Sequence, residues 1–205
     1  MAPRKSRQLS LDVQPRTWGG KRAGAGRKTT GTSAGVPHRP RPLLERRLPI
    51  HVTLRMTPQV YNLRSQRCFR VITTALAAGA DRFEVRVVQF SVQGNHIHLL
   101  VEADSRTALA RALKGLSGRI AKRLNVVMKR HGRVLADRYH AHVLRTPTEV
   151  RRAMTYIRDN ARLHAAARAV TYSPGYVDPC SSAAVTMLLP QPRTWLVREG
   201  WRRGS

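Results

Sequence analysis

Apolar and polar residues alternate along the middle of the chain in a way that predicts strands and helices in turn. Residues 48–56 alternate between the two classes and include β-branched residues, which predicts a first strand that ends before Pro58. Residues 62–78 carry apolar side chains at near-helical spacing, and Gly79 follows them as a stop signal. The pattern therefore begins with one strand and one amphipathic helix.

The rest of the core continues with the same two periodicities. Ser105 is the expected N-cap of the longest helix, and Gly132 lies just past the end of that helix. The further predicted elements are a strand over 82–93, a turn at Gly94-Asn95, a strand over 96–103, a helix from Ser105 to about Arg130, a strand within 134–145, and a helix that starts at Thr146-Pro147-Thr148-Glu149 and runs to about Ala167.

This order of elements predicts an α+β fold. Four antiparallel strands with the first two helices packed on one face form a ferredoxin-like sandwich. The last helix is then free to lie across the other face of the sheet. The chain divides into a basic segment at 1–46, a core at 47–170 and an extended segment at 171–205, in which Trp195 and Trp201 are expected to contact the core.

The charge of the chain indicates a polyanionic partner. The sequence has 38 Lys and Arg against 11 Asp and Glu, a formal net charge of +27. Self-repulsion of this size opposes folding, and nucleic acid is the ordinary ligand that neutralises it. A membrane surface fits less well, because no helix pairs a basic face with a large aromatic one. The basic residues that we expect to contact DNA are Lys21, Arg22, Arg27 and Lys28 in the first segment, and Lys114, Arg119, Lys122 and Arg123 on the long helix.

Other compositional features restrict the class of protein. Two cysteines are too few for a disulfide framework, and no apolar run is long enough for a membrane span. The basic N-terminus lacks the apolar stretch of a secretory signal. We therefore expect a cytoplasmic protein, associated with the nucleoid.

The strongest chemical signal is a pair of histidines on the third predicted strand. His96 and His98 are two residues apart, so that both point to one face, while the apolar residues between and after them point to the other. Chance alone gives roughly 0.3 such pairs in a chain of this composition, so the motif is weak by itself. A second pair, His140 and His142, lies beside Arg138, and for these histidines we favour DNA contacts or sheet packing.

Two polar residues of the last predicted helix extend this signal. Tyr156 and Asn160 are four residues apart and share a helix face. If that face meets His96 and His98, two imidazoles and an amide oxygen converge, a set that suits Mg²⁺ or Mn²⁺ acting on a phosphodiester. The tyrosine hydroxyl is then the candidate nucleophile, activated by the cation or by arginines. On residue type alone, Tyr156 is more often a packing residue and Asn160 a polar residue late in a helix.

The two motifs together resemble those of a known family. Asn95-His96-Ile97-His98-Leu99-Leu100 resembles the histidine-hydrophobic-histidine motif of single-tyrosine transposases, and Tyr156-Ile157-Arg158-Asp159-Asn160 resembles their nucleophile helix. The asparagine is typical of the REP-associated tyrosine transposase branch. Residues 178–183 also resemble a tail motif of that branch. The chain differs in having Ala161 where proline often follows, and Gln93-Gly94 in place of the usual Met-Pro.

The resemblance, which covers residues 48 to 183, implies a specific activity. Tyr156 would attack a phosphodiester of single-stranded DNA near a repeat hairpin, form a 5′-phosphotyrosine and release a 3′-hydroxyl. His96, His98 and Asn160 would hold the divalent metal, and the basic first segment and the long helix would hold the hairpin and the strand. Independently of the resemblance, we expect Arg138 and His140 to contact DNA.

Two alternatives to an active transposase remain open at this point. A basic ferredoxin-like sheet also suits a non-catalytic nucleic-acid or RNA binder, and a domesticated relative would keep every motif without cleaving. The sequence also leaves open whether the unit is a monomer or a homodimer with exchanged tyrosine helices.

Overall fold

The computed structural model describes residues 48–82, 84–166, 169–185 and 189–204. The predicted DNA-binding residues Lys21, Arg22, Arg27 and Lys28 lie outside the described residues. The strands are β1 Ile50–Arg55, β2 Asp81–Arg82, β3 Val85–Val92, β4 His96–Ala103 and β5 His140–Val143. The helices are α1 Gln66–Ala77, α2 Arg106–Val127, α3 Pro147–Ala166 and α4 Trp195–Arg198, followed by a 3-10 turn at Gly200–Arg203.

The strands form one antiparallel sheet in the order β2-β3-β4-β1-β5. The α+β sandwich that we predicted is confirmed, with five strands instead of four. The predicted strand over 82–93 is divided between β2 and β3, because Glu84 adopts a left-handed φ of 61° and turns the chain between them. The predicted strand over 96–103 coincides with β4.

The predicted strand within 134–145 is shorter than expected. Only His140–Val143 pairs continuously with β1, while Leu135 forms an isolated bridge to Met56. The side chain of Arg133 donates hydrogen bonds to the carbonyl oxygens of Leu135 and Ala136. These two carbonyl groups are therefore bonded to a side chain, while the carbonyl of Val134 and the N–H of Ala136 bond to the end of β1 and its continuation.

The larger core lies between one face of the sheet and the first two long helices. Ile97, Leu99 and Val101 of β4 are fully buried there, against residues such as Ile72 of α1 and Leu113 of α2. The hydroxyl of Ser105 accepts a hydrogen bond from the backbone N–H of Ala108 at 3.0 Å, which confirms the N-cap predicted for α2.

A smaller apolar cluster lies on the opposite face of the sheet, beneath α3. Leu100 of β4 contacts Val150, Ala153 and Ile157 of this helix, and Leu196 and Val197 of α4 complete the cluster. Because β4 alternates between the two faces, its even-numbered side chains, including His96 and His98, point towards α3. The last helix therefore covers the histidine face of the sheet.

Two carboxylates hold the C-terminal region against the sheet. Asp178 receives a bidentate ion pair from Arg64, at 2.6 and 2.9 Å, and the residues after it hydrogen-bond to the edge of β3. Glu102, on β4, is buried and accepts hydrogen bonds from the backbone N–H groups of Arg193 and Thr194, both at 2.8 Å. Trp201 packs against the smaller cluster, whereas Trp195 is 47% exposed.

No helix in the part of the chain that the structure describes is long and apolar enough to cross a membrane.

Candidate active site

A row of polar side chains crosses the centre of the sheet beneath α3. Strand register places Ser91 of β3 opposite His98 of β4, His98 opposite Thr53 of β1, and Thr53 opposite His140 of β5. Directly paired residues of antiparallel strands lie on the same face. Four polar side chains therefore lie in a row across the sheet. His96 lies beside this row, two residues before His98 on the same face of β4.

His98 is the most buried of these histidines, with 5% of its surface exposed. Its Nδ1 lies 3.0 Å from Nε2 of His51 and 3.2 Å from the hydroxyl oxygen of Thr53. Its Nε2 is buried and has no hydrogen-bond partner among the described residues. One ring nitrogen is therefore held by β1, while the other faces the helix side without a partner.

His96 is held in a similar way by its neighbour in the turn. Its Nδ1 lies 2.7 Å from the amide oxygen of Asn95, which can only accept a hydrogen bond. Nδ1 therefore carries the proton and Nε2 keeps a lone pair. The rings of His96 and His98 are nearly perpendicular, with centroids 4.7 Å apart.

Tyr156 of α3 lies directly over the buried histidine. Its ring centroid is 5.1 Å from that of His98 and 5.9 Å from that of His51, in edge-to-face contact with both. The side chain is 37% exposed, so that the phenol is accessible from solvent. The proximity of the tyrosine to the histidine pair, on which the sequence hypothesis depends, is present within one chain.

Asn160 is fully buried one helical turn after Tyr156. Neither its amide oxygen nor its amide nitrogen has a hydrogen-bond partner in the described part of the chain. Leaving a buried amide unpaired costs about 1–3 kcal/mol, so such a group in a native protein calls for an explanation. A ligand that coordinates the oxygen provides one.

The candidate donors are of types that bind divalent cations. Two neutral imidazole nitrogens and one amide oxygen would leave positions on a Mg²⁺ or Mn²⁺ ion for water and phosphate oxygens, although imidazole nitrogen is a softer ligand than the oxygens that Mg²⁺ prefers. The structure contains no group of three or more His, Cys, Asp or Glu side chains placed to hold a metal, among the residues it describes. The candidate ligands His96, His98 and Asn160 are consistent with this finding, because Asn160 is an amide and not one of those four residue types.

The histidines of the site are neutral at physiological pH. Burial lowers the pKa of His98 to about 3, and it lowers the pKa values of His51 and His96 to about 4. Repulsion from neighbouring histidines adds to the effect at each position, and Arg55 adds to it at His96. The neutral imidazole is the form that binds a metal.

Sequence reasoning missed three residues of this region. His51 and Arg55 lie at alternate positions of β1 on the same face as the histidine pair, and Arg55 is opposite His96. His164 follows Asn160 by one turn of α3, with its ring centroid 5.5 Å from that of His96. The polar residues at alternate positions of 51–55 could have indicated His51 and Arg55, and the four-residue spacing along α3 could have indicated His164. Neither pattern places these residues beside His96 and His98 unless the strand pairing is known.

The predicted DNA contacts do not all lie on the same side of the sheet. Arg138 and His140 are exposed at the β5 edge, and His140 lies on the histidine face. Lys114, Lys122 and Arg123 are exposed on α2, which packs on the opposite face. Arg119 is partly buried, and its guanidinium lies so close to Gly79 that a Cβ there would be 2.4 Å from Nη2.

The comparison with known protein families identifies the chain. Residues 47–160 match the sequence model of the family described as "Transposase IS200 like". The chain belongs to the IS200-like transposase family. The predicted tyrosine transposase is thus confirmed, together with the DNA-binding and recombination functions of that family.

Solved structures give a comparison of the fold. One is a REP-associated tyrosine transposase bound to a REP hairpin, with a TM-score of 0.51 and 13% identity over 63% of this chain and 74% of that one. Another is described as a transposase from Deinococcus radiodurans, with a TM-score of 0.41 and 14% identity over 68% of this chain and 100% of that one. The search of curated proteins finds no significant match.

Proposed function

We propose that this transposase cleaves and rejoins single-stranded DNA through a 5′-phosphotyrosine on Tyr156, at sites beside hairpin-forming repeats. The single observation that carries the proposal is the contact between Tyr156 and His98. The phenol ring lies 5.1 Å, centroid to centroid, from an imidazole whose Nε2 is buried without a partner in the described residues. The ring that carries the candidate nucleophile is therefore in contact with the ring that carries an unpaired imidazole nitrogen.

The chemistry assigned to Tyr156 is a transesterification. Its hydroxyl oxygen attacks the scissile phosphorus, the bond from phosphorus to the 3′-oxygen breaks, and a free 3′-hydroxyl leaves. Tyr156 is 37% exposed, so that the phenol proton passes to water and water supplies the proton that the departing 3′-oxygen takes up. The phosphodiester is replaced by a phosphotyrosine of similar energy, so that attack by another 3′-hydroxyl reverses the step.

His96, His98 and Asn160 are the residues that would hold Mg²⁺ or Mn²⁺. A bound divalent cation would polarise the phosphodiester and neutralise its developing charge. Asn95 orients the ring of His96 through its amide oxygen, so that Nε2 is available for coordination. Arg55, which is exposed and opposite His96 on β1, is placed to neutralise the charge of a phosphate at this site.

The partner that we propose is a single DNA strand next to a hairpin. The net charge of +27 supports a polyanion, and the REP-associated transposase of similar fold was solved with a REP hairpin. We further propose that residues 1–46 form a DNA-binding arm on a catalytic domain at 47–170, with residues 171–205 as a C-terminal extension, and that the protein acts at the nucleoid in the cytoplasm. The contact between Tyr156 and His98 within one chain supports a monomer as the active unit.

The test is covalent capture on a hairpin oligonucleotide labelled at its 3′ end. With Mn²⁺, we expect the wild-type protein to yield a labelled band that survives denaturation and shifts by the mass of the protein. Tyr156→Phe should bind the hairpin but give no such band. His96→Ala should also give no band, with or without Mn²⁺. Tyr139→Phe is the matched control and should give the same band as the wild type.

The alternatives make different predictions in the same assay. A non-catalytic binder would shift the hairpin without any covalent band, in the wild type as in Tyr156→Phe. Equal cleavage by the wild type, His96→Ala and Tyr156→Phe would indicate a contaminating nuclease, and the proposal would then be wrong.

A further inference from the structure

His51 is the nearest polar partner of the buried histidine. It lies on β1, and its Nε2 is 3.0 Å from Nδ1 of His98, with the two ring planes 36° apart. Thr53 contacts the same Nδ1 at 3.2 Å. Two groups of β1 therefore converge on one nitrogen of His98.

The hydrogen bond between the two imidazoles has a preferred direction. A neutral imidazole carries one proton, so that either Nδ1 or Nε2 of His98 is the donor. If Nδ1 carries it, Nδ1 donates to Nε2 of His51, and the buried Nε2 of His98 keeps its lone pair. The opposite arrangement would place an N–H at the buried Nε2, where no acceptor lies among the described residues. In the first arrangement the lone pair of Nε2 can be satisfied by a bound cation, whereas a buried N–H at that position could not be.

We propose that His51 is a positioning residue that fixes the tautomer and ring orientation of His98, so that Nε2 is presented for coordination. This inference rests on the divalent-cation site of the proposed function. His51 acts through His98, because its own Nε2 is occupied as the acceptor. Partners of this kind typically contribute about 10- to 100-fold to metal affinity.

Titration of the apoprotein with Mn²⁺ alone, followed by the EPR signal of the free ion, tests the proposal without catalysis. His51→Ala should weaken Mn²⁺ binding about 10- to 100-fold. His51→Gln should restore most of it, because the amide oxygen of Gln can accept the same hydrogen bond. His131→Ala, which replaces an exposed histidine in the loop after α2, is the matched control and should bind as the wild type does.

His98→Ala distinguishes a failure of the metal site from a failure of the role proposed for His51. If His98→Ala binds Mn²⁺ normally, the metal site itself is wrong. If His98→Ala weakens binding while His51→Ala does not, the site stands and the role of His51 is wrong. Equal weakening in His51→Ala and His51→Gln, with both variants folded, would also overturn the acceptor role.

A separate observation concerns a cavity that opens beside His96. Its volume is about 510 Å³, and both aromatic and polar side chains line it. Tyr61, at the rim, is 72% exposed, and Tyr172 is stacked in parallel on Tyr176 at 3.8 Å. The polar lining comes from Asn62, Gln93 and Asn95.

Aromatic faces together with amide groups are the surroundings that bind an unpaired nucleobase. The rings offer stacking, and the amides can donate to and accept from the base edge. The volume lies within the range of small-molecule sites. Arg64, which also lines the cavity, is already paired with Asp178, so its charge is balanced. The cavity is therefore suited to a base more than to a phosphate.

The geometry points to this cavity as the site of one unpaired base of the DNA strand, close to the scissile phosphate, because His96 is shared between the cavity and the candidate metal site. The inference rests on the proposed DNA substrate. It assigns a recognition role to Tyr61 and Asn62, neither of which belongs to the transposase motifs.

Binding of hairpin oligonucleotides with one abasic position at a time tests this assignment. For the wild type, one position near the cleavage site should show a loss of affinity of about 5- to 100-fold. Tyr61→Ala should show a similar loss with intact DNA and little further loss at that abasic position, whereas Val126→Ala, an exposed residue of α2, should behave as the wild type.

The result that overturns the assignment is an abasic profile in Tyr61→Ala that equals the wild-type profile. Because the readout is binding alone, it is independent of whether Tyr156 forms a covalent adduct. A protein that binds the hairpin without cleaving it would contradict the proposed function and still allow this test.

Discussion

The polar atoms buried beneath α3 determine what the site can bind. Nε2 of His98 and both amide atoms of Asn160 lack hydrogen-bond partners among the described residues, although each is enclosed by protein. His98, Asn160 and Tyr156 were candidates from sequence, because they fall in two motifs of fixed spacing. His51 could not, since its contact with His98 joins two strands whose register is set by packing rather than by local pattern.

Asn160→Leu tests whether the buried amide is kept for binding. Leucine has a similar size and removes two unpaired polar atoms, so we expect the free energy of unfolding to rise by about 1–3 kcal/mol. Mn²⁺ affinity should fall by about tenfold or more. Urea denaturation and Mn²⁺ titration measure the two effects. Destabilisation together with unchanged Mn²⁺ affinity would show that Asn160 has a structural role instead.

At the scale of elements, the predictions succeeded where local signals are sufficient. The start of β4 follows from the turn at Gly94-Asn95 and the alternation that begins at His96, and the cap of α2 follows from Ser105. The strand before α3 was predicted too long because Arg133 bonds the carbonyl groups that a strand would use, which depends on the conformation of a loop. Helix α3, which carries Tyr156 and Asn160, begins where the sequence predicted, and its first turn has a reciprocal cap.

This cap should make the stability of α3 depend on pH. Glu149 accepts hydrogen bonds from the backbone N–H groups of Arg145 and Thr146, and Thr146 accepts one from the N–H of Glu149. The bond from Arg145 is the main cause that lowers the pKa of Glu149 below its ordinary value of 4.5. A carboxylate with a lowered pKa stabilises the fold above pH 4.5, and its contribution is lost as the pH falls through the folded-state pKa.

We therefore expect Glu149→Gln to be less stable than the wild type at pH 7 and equal to it at low pH. Urea denaturation of both proteins between pH 7 and pH 3 measures the difference. If the difference in the free energy of unfolding between the two proteins stays constant over this pH range, the charge of Glu149 does not contribute to the cap.

At the scale of the whole molecule, the two faces of the sheet have different roles. The face with α1 and α2 holds most of the apolar core, whereas the face with α3 holds the histidines. The basic residues predicted on α2 lie on the face away from the site, which is where the predicted sandwich placed that helix. The C-terminal segment reaches the site face, where Leu196 and Val197 pack beside Ile157 of α3.

Glu102 connects this C-terminal segment to the sheet. Its buried carboxylate also accepts hydrogen bonds from the hydroxyl of Thr194 at 2.7 Å and from Nε of Arg86 at 3.2 Å. Glu102→Gln places an amide N–H against these donors and leaves Arg86 without its countercharge. We expect the free energy of unfolding to fall by about 2–4 kcal/mol.

Glu84→Gln is the matched control for this substitution. Glu84 is exposed at the turn between β2 and β3, and a surface change of this kind should stay within about 0.5 kcal/mol. Denaturant unfolding of both variants provides the comparison. Equal stabilities would mean that Glu102 does not hold the C-terminal segment to the sheet.

The most direct test of the central claim is mass spectrometry of the covalent adduct after proteolysis. The wild-type protein, incubated with a hairpin oligonucleotide and Mn²⁺, should yield a peptide in which Tyr156 is joined to the 5′-phosphate of the downstream DNA fragment. An adduct on another residue, a linkage to a 3′-phosphate, or cleavage without any adduct would contradict the account.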